Sequence, residues 1–268
     1  MKTVCLFVTW NSSKLLEDSI GKLRTISPNQ AIIVVDNGSV DKGPDDIQSR
    51  WPEIELHRLP TNTGFAGGNN YGVKVALQRG YDAVFLLNVD TIIDEDFIAP
   101  CVSILEKQPE VGIVGPVVLE AFQDGVIQCA GGRIRPMILN FDSLDKGKKF
   151  IRREKLCEVG YVLGAAMLVR RAVFEQVGFF DEDYFPAYVE EADLCYRAKR
   201  AGYRSVVFHG CGIRHIGQQS SGGGLNAFNR MSKNRFYFAI KHLGPLAFLC
   251  GAMSVTLLVF SWKLRHRR

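Results

Sequence analysis

The chain lacks paired cysteine motifs. Its seven cysteines, at positions 5, 101, 129, 157, 195, 211 and 250, are odd in number and scattered, and no Cys-x-x-Cys occurs among them. That pattern suggests neither a zinc ribbon nor a disulfide framework, and a reducing compartment is the simpler reading. Nor is there a large excess of one charge: 33 Lys and Arg against 28 Asp and Glu leave a net +5 over 268 residues. That balance suits anionic small molecules or a lipid surface and is too weak to argue for nucleic acid. A Gly-x-x-x-x-Gly-Lys-Ser/Thr run is missing, as is a Gly-x-Gly-x-x-Gly after the first apolar segment, which disfavours a P-loop ATPase and a dinucleotide enzyme. Internal repeats and long low-complexity tracts are absent too. What remains is ordinary globular composition, 47% hydrophobic and 23% charged. The length suits one large α/β domain with an appendage, or two small domains.

The apolar residues are arranged in short runs. Residues 4–9 form the first, stopped by Trp10-Asn11-Ser12-Ser13 with no small-residue cleavage site after it, so it reads as a strand rather than a secretory leader. Further strand candidates are 31–36, 54–58 and 83–89. All but 54–58 are continuous apolar runs, as expected for strands covered on both faces. Between them lie 12–25, 41–50 and 66–79, each of helical length. The first carries the stripe Leu15, Leu16, Ile20, Leu23, with Ser12 or Ser13 available as cap. This alternation predicts an α/β fold with a Rossmann-like, mostly parallel central sheet flanked by helices. Ligands of such sheets sit beyond the carboxyl ends of the strands. Here those ends are Thr9-Trp10-Asn11, Asp36-Asn37-Gly38-Ser39, Asn62-Thr63-Gly64 and Asn88-Val89-Asp90.

The second half is less regular. Strands are expected at 111–119, 161–170 and 203–208, and a helix at 190–201 closed by Gly202. Residues 146–155 hold six Lys or Arg, read either as a solvated loop or as a surface for headgroups or diphosphate. Residues 218–224 are Gly/Ser-rich and expected to be mobile. Residues 243–262 are twenty positions without a charge, followed by a basic tail, Lys263-Leu264-Arg265-His266-Arg267-Arg268. A buried terminal helix is one reading; a membrane-associating segment is the other, favoured by the adjoining basic tail. The expected division is a domain over 1–235 and a C-terminal helical membrane-associating segment with its basic tail over 236–268.

Several groups could carry chemistry. Asp90 ends a buried strand, where it either makes an Asx-turn or offers a hard oxygen to Mg²⁺ or Mn²⁺. Asp94 reads as a helix N-cap, with Glu95 and Asp96 in the first turn. Asp36 and Ser39 either form a tight turn or hydrogen-bond a nucleoside. The run from Asn62 to Gly72 is rich in Gly and Asn; its glycines permit close approach of backbone to a ligand, and a helix starting within it offers amides to phosphate. Glu190, Glu191 and Asp193 open a helix, either as favourable charges for its dipole or with one of them as a general base. His215 is either a structural histidine or a further metal ligand beside Asp90.

Taken in order, these pieces resemble family 2 glycosyltransferases of the GT-A fold, particularly bacterial rhamnosyltransferase-like members. The resemblance spans about residues 3–240 and rests on Val8-Thr9-Trp10-Asn11, 35–39, 62–72, 86–90, 164–171, 177–182, Glu190-Glu191-Ala192-Asp193-Leu194 and Arg214-His215. It implies inverting transfer of a sugar, rhamnose or a hexose, from a dTDP- or UDP-linked donor. The acceptor implied is a hydroxyl of a lipid-linked saccharide, in cell-surface polysaccharide or O-antigen synthesis. By the same resemblance Thr9, Asp36 and Ser39 contact the nucleoside, and Asn62, Gly67, Gly68 and Asn70 line its pocket. Asn88-Val89-Asp90 stands where the family has Asp-x-Asp, with Asp90 as ligand to Mg²⁺ or Mn²⁺ and His215 touching metal or diphosphate. The base is expected at Glu191, where the family usually has Asp, with Glu190 and Asp193 as alternatives. A nucleotide-sugar-binding protein without activity, or a sugar nucleotidyltransferase, are the other readings. Because nucleotide sugars are cytosolic in bacteria, the C-terminal segment is expected to lie in or re-enter the cytoplasmic face of the inner membrane.

Overall fold

The computed structural model describes residues 1–41, 43–217 and 225–244. The Gly/Ser-rich stretch 218–224, and all but the first two residues of the uncharged C-terminal run, lie outside the described residues. Among the described residues no helix is long and apolar enough to cross a membrane. The six described cysteines are free.

The chain begins with strand β1 (Thr3–Thr9), helix α1 (Ser13–Ile26), β2 (Ala31–Asp36), α2 (Gly43–Arg50), β3 (Glu55–Arg58), α3 (Gly64–Gln78) and β4 (Ala83–Asn88). A two-residue strand β5 (Thr91–Ile92) and α4 (Ile98–Lys107) follow, then β6 (Val111–Glu120), β7 (Ile127–Cys129), β8 (Gly132–Arg135), β9 (Asn140–Ser143) and β10 (Leu156–Glu158). The last part contains β11 (Ala166–Arg170), α5 (Arg171–Val177), α6 (Glu190–Arg200), β12 (Arg204–His215) and α7 (Leu225–Leu243).

The main sheet runs β10-β12-β6-β11-β4-β1-β2-β3, with β5 beside β12 and β7 beside β6. The four strands β4, β1, β2 and β3 are parallel, as their alternation with helices required. Beyond them the expectation of a mostly parallel sheet fails. β11 runs antiparallel to both β4 and β6, while β6 and β12 are parallel to each other, so the sheet is mixed. The cause lies in the segments before β11: no crossover helix separates β6 from β11, only the short strands β7 to β10. A parallel return needs a crossover, whereas an antiparallel one does not.

Period-two alternation splits the apolar runs between two cores. Val4, Leu6, Ile33, Val35, Val84, Leu86, Met167 and Val169 face one side of the sheet. Cys5, Phe7, Ile32, Val34, Phe85, Leu87 and Leu168 face the other, where α1 inserts Leu16, Ile20 and Leu23. Side chains on opposite faces of successive residues follow from the pleat, and each fully buried Leu, Ile or Phe contributes about 1.5–3 kcal/mol. Helix α3 lies unusually close to β1. A Cβ on Gly72 would sit 2.3 Å from Leu6 Cδ1, and one on Gly68 2.5 Å from Val8 Cγ1. These glycines of the 62–72 run bring the backbone close to the sheet rather than to a ligand.

Two local expectations change. Asp94 does not cap α4: Asp96 does, its Oδ1 accepting from the Ile98 and Ala99 amides at 2.9 and 3.1 Å. Asp94 instead takes Arg214 through two nitrogens at 2.6 and 2.9 Å. Glu95 accepts from the Gly212 amide and pairs with Arg152. Both acids therefore hold the end of β12. Helix α7 is continuous across the expected 235/236 boundary, and residues on both sides of it are buried, Asn234 and Phe238, the latter in the core shared with Leu6 and Val35.

Candidate active site

The parallel strands end at one rim, as the topology of an open α/β sheet dictates. Thr9, Asn37, Asn62, Asn69, Asn88 and Asp90 line a cleft there, with Trp10 at its mouth. The loop network that shapes it centres on Asn37. Its Oδ1 accepts from the Thr63 amide and hydroxyl, both at 2.9 Å, and its Nδ2 donates to Gly64 O at 3.0 Å and Asn62 Oδ1 at 3.2 Å. Asp36 and Ser39 close the turn after β2, with the Ser39 amide donating to Asp36 Oδ1 at 2.9 Å. Gly38 in that turn has φ +78°, and a Cβ there would meet the Thr61 backbone at 2.7 Å. Neither Asp36 nor Ser39 lines the cleft.

Other parts of the 62–72 run serve the fold. Asn70 is buried and fully engaged: it donates to Phe180 O and Glu182 Oε1 and accepts from the Phe180 amide, each at 2.9 Å. Gly67 packs on Thr63 and Gly68 on Val8 and Asn37. The first helical amides, expected to be open to phosphate, are occupied: Gly64 donates to Asn62 Oδ1 and Phe65 to Pro186 O, both at 2.8 Å. Asn37 and Asn69, which the pattern reading did not single out, face the cleft in place of Gly67, Gly68 and Asn70.

The cleft continues past Asn88 and Asp90 into a cavity of about 560 Å³ that Glu190, Glu191 and His215 also line. That volume lies within the range of small-ligand sites. His215 reaches Asp90 because β5 pairs with the end of β12, setting His215 opposite Thr91. His215 Nε2 is 3.1 Å from Asp90 Oδ1. Its Nδ1 is 2.8 Å from Gln128 Oε1, whose amide nitrogen donates to Glu120 Oε2 at 3.2 Å. With Nδ1 turned to Gln128, Nε2 faces Asp90 Oδ1 and, at 3.4 Å, Asn88 Nδ2, an arrangement that orients histidine toward a cation. A carboxylate oxygen and a ring nitrogen side by side in a polar cavity fit a divalent metal. Among the described residues no three His, Cys, Asp or Glu side chains could hold one by themselves, so substrate oxygens and water would complete the shell.

The three acids of α6 separate by environment. Glu191 faces the cavity, and burial raises its carboxyl to about 6, against backbone amides that favour the charged form. Glu190 is 3% exposed and its Oε2 has no hydrogen-bond partner; burial, and then the charge of Glu191, push its carboxyl far above the usual range. Its charged form is the disfavoured one. Asp193 is fully buried and lines no part of the cavity. Burial by itself would raise its carboxyl, but His242 at 2.6 Å, Arg197 at 2.7 Å and Lys241 at 2.9 Å reverse the effect and hold it at about 2. Of the three candidate bases, Asp193 is thus an internal counter-ion tying α6 to α7. Asn234 of α7 adds to the tie, donating to the Tyr184, Ala187 and Tyr188 carbonyls at 2.9–3.1 Å. This holds a loop in which Tyr188 and Val189 have φ +86° and +81° immediately before α6. Such backbone persists only where surrounding contacts fix it.

The basic stretch 146–155 divides as well. Lys146 lines the cavity, whereas Lys148 pairs with Asp145, Lys149 with the Asp124 carbonyl and Arg152 with Glu95.

A parallel half-sheet with polar strand ends, one of them bearing a carboxylate beside an imidazole, is the layout of a GT-A-type nucleotide-sugar enzyme. Solved structures agree on the fold. GalNAc-T7 with UDP, GalNAc and Mn²⁺ superposes with a TM-score of 0.69 at 13% identity, over 90% of this chain and 48% of that one. A Pyrobaculum calidifontis mannosyltransferase in complex with GDP-Man and Mn²⁺ gives 0.61 at 16% identity, over 96% and 75%. The model of Glycosyl transferase family 2 matches residues 5–178, and the chain belongs to that family. Its sequence is 26% identical to the N-acetylglucosaminyl-diphospho-decaprenol L-rhamnosyltransferase of Mycobacterium tuberculosis, over 80% of this chain and 76% of the relative. It is 28% identical to the low-salt glycan biosynthesis hexosyltransferase Agl10 of Haloferax volcanii, over 69% and 58%. The protein is therefore a family 2 glycosyltransferase that uses a nucleotide sugar. The family match includes Asp90 and stops short of Glu191 and His215, so those two rest on geometry.

Proposed function

We propose that the chain performs an inverting transfer of rhamnose or a hexose from a dTDP- or UDP-linked donor to a hydroxyl of a lipid-linked saccharide, in the synthesis of a cell-surface polysaccharide. The observation that carries this is that Asp90, just past the end of β4, and Glu191, in the first turn of α6, line one cavity. The nucleoside occupies the cleft at Thr9, Asn37 and Asn62. Asp90 and His215 would hold Mn²⁺ or Mg²⁺, which supplies positive charge to the departing diphosphate; the imidazole favours Mn²⁺. Glu191 takes the proton of the incoming hydroxyl on the far face of the sugar. One displacement inverts the anomeric carbon with no covalent intermediate. Glu190, whose charged form burial disfavours, leaves Glu191 as the acceptor of that proton. The mycobacterial relative, by its name, acts on a diphospho-decaprenol, which supports the lipid-linked acceptor; the uncharged 243–262 run supports a site at the cytoplasmic face of the inner membrane.

The test is release of nucleoside diphosphate from dTDP-rhamnose and UDP-hexoses by the full chain with Mn²⁺, with the product anomer read by NMR. Inversion, lost on Asp90→Ala, is expected. Retention of configuration would end the single-displacement reading, and donor binding without turnover on any donor would make this an inactive sugar-nucleotide-binding protein.

A further inference from the structure

Glu191 borders a second cavity of about 490 Å³, bounded by β9, Tyr161, Tyr188 and α7. Its walls combine aromatic rings with two cations, Lys146 and Arg235. Arg235 Nε is buried and has no hydrogen-bond partner. The guanidinium lies 5.6 Å from the Phe141 ring, and burial pulls it down from its ordinary value. Two carboxylates share the lining: Asp142, which pairs with Arg135 at 3.5 Å, and Glu191. Lys146 has no hydrogen-bond or ion-pair partner among the described residues. Lys146 and the Arg235 Nε are left without a direct hydrogen-bond partner among those residues, and an anionic ligand pairing with both would offset the cost of placing these cations at the wall.

The position of Arg235 narrows what that anion is. Eight residues of continuous helix separate it from Leu243, a rise of roughly 12 Å. Leu243 is also where the uncharged run of the sequence begins. An acceptor whose hydroxyl is at Glu191 thus has its charged group near the start of the apolar segment, where a lipid headgroup would be.

We propose that this second cavity is the acceptor subsite, its aromatic walls taking the saccharide and Arg235 and Lys146 binding the phosphates that join it to lipid. The assignment rests on the reading of Glu191 as base. The probe is farnesyl diphosphate, titrated by calorimetry into the full chain in EDTA, where no metal can hold phosphate at Asp90. Saturable binding is expected, weakened about tenfold or more by Arg235→Gln and by Lys146→Gln, as for loss of a charged hydrogen bond. Lys149→Gln should leave it unchanged. Lys146 is exposed, so its variant carries the test if Arg235→Gln does not fold. The proposal is overturned if farnesyl diphosphate does not bind, if Lys149→Gln weakens it equally, or if methyl glucuronide depends on Arg235 while farnesyl diphosphate does not. UDP and Mn²⁺ binding, measured separately on every variant, reads the donor side alone. Its absence from the wild type would count against the transferase reading without touching the anion result.

Discussion

Replacing Glu191 by glutamine keeps the side chain's shape and removes its ability to take a proton. A carboxyl held at about 6 is roughly 90% ionised at pH 7 and roughly 10% at pH 5. Transfer at subsaturating acceptor should therefore fall about tenfold between those pH values. A carboxyl at its ordinary value near 4.3 would stay roughly 80% ionised at pH 5, and the rate would hardly move. Glu191→Gln should lower turnover about 10²–10⁴-fold and abolish this acid limb, while UDP binding is retained. The measurement is kcat/KM from pH 5 to 8 for both proteins, with bound UDP checked at each pH. Wild-type turnover in the variant, or an acid limb that persists in it, would refute the assignment. The same shift opposes folding. A carboxyl raised in the folded state costs stability wherever it must ionise, fully above about 6 and not at all well below its unfolded value. The variant should gain at most about 2 kcal/mol at pH 8, and the gain should vanish by pH 4. Urea denaturation at the two pH values measures it.

Other perturbations test the supports of the site. Gln128→Leu frees His215 Nδ1 and should weaken Mn²⁺ binding about 10–100-fold in a direct titration; an unchanged affinity would remove His215 from the metal site. Asp193→Asn leaves Arg197 and Lys241 facing an amide and should cost about 3–5 kcal/mol in urea unfolding. Because the Asp193 carboxyl is depressed, its share of that loss should shrink as pH falls below about 3.9 toward 2. A chain ending at Gly244 keeps α7 and its contacts; it should leave the membrane pellet if residues 245–268 are the anchor, and equal pelleting of both forms would end that proposal.

The parallel half of the fold was legible in the sequence because its signal is local. Short continuous apolar runs alternating with helical stripes read as strands covered on both faces, and the polar ends of parallel strands gather at one rim. Asp90 was visible for that reason, and the family resemblance added Glu191 and His215. What the sequence could not divide was the role of like residues in one run. Glu190, Glu191 and Asp193 share a helix turn. The charge state of each depends on its surroundings: burial without a partner for Oε2 and the neighbouring Glu191 charge for Glu190, burial against backbone amides for Glu191, and His242, Arg197 and Lys241 for Asp193. The glycines of 62–72 likewise read as ligand-facing until Leu6 and Val8 were seen against them. Gln128, Asn234 and Arg235 carried no pattern at all. Each matters through a partner distant in sequence, and only the tertiary structure, by setting solvent access and neighbouring charge, decided which polar side chains were free for chemistry and which were consumed in holding the fold.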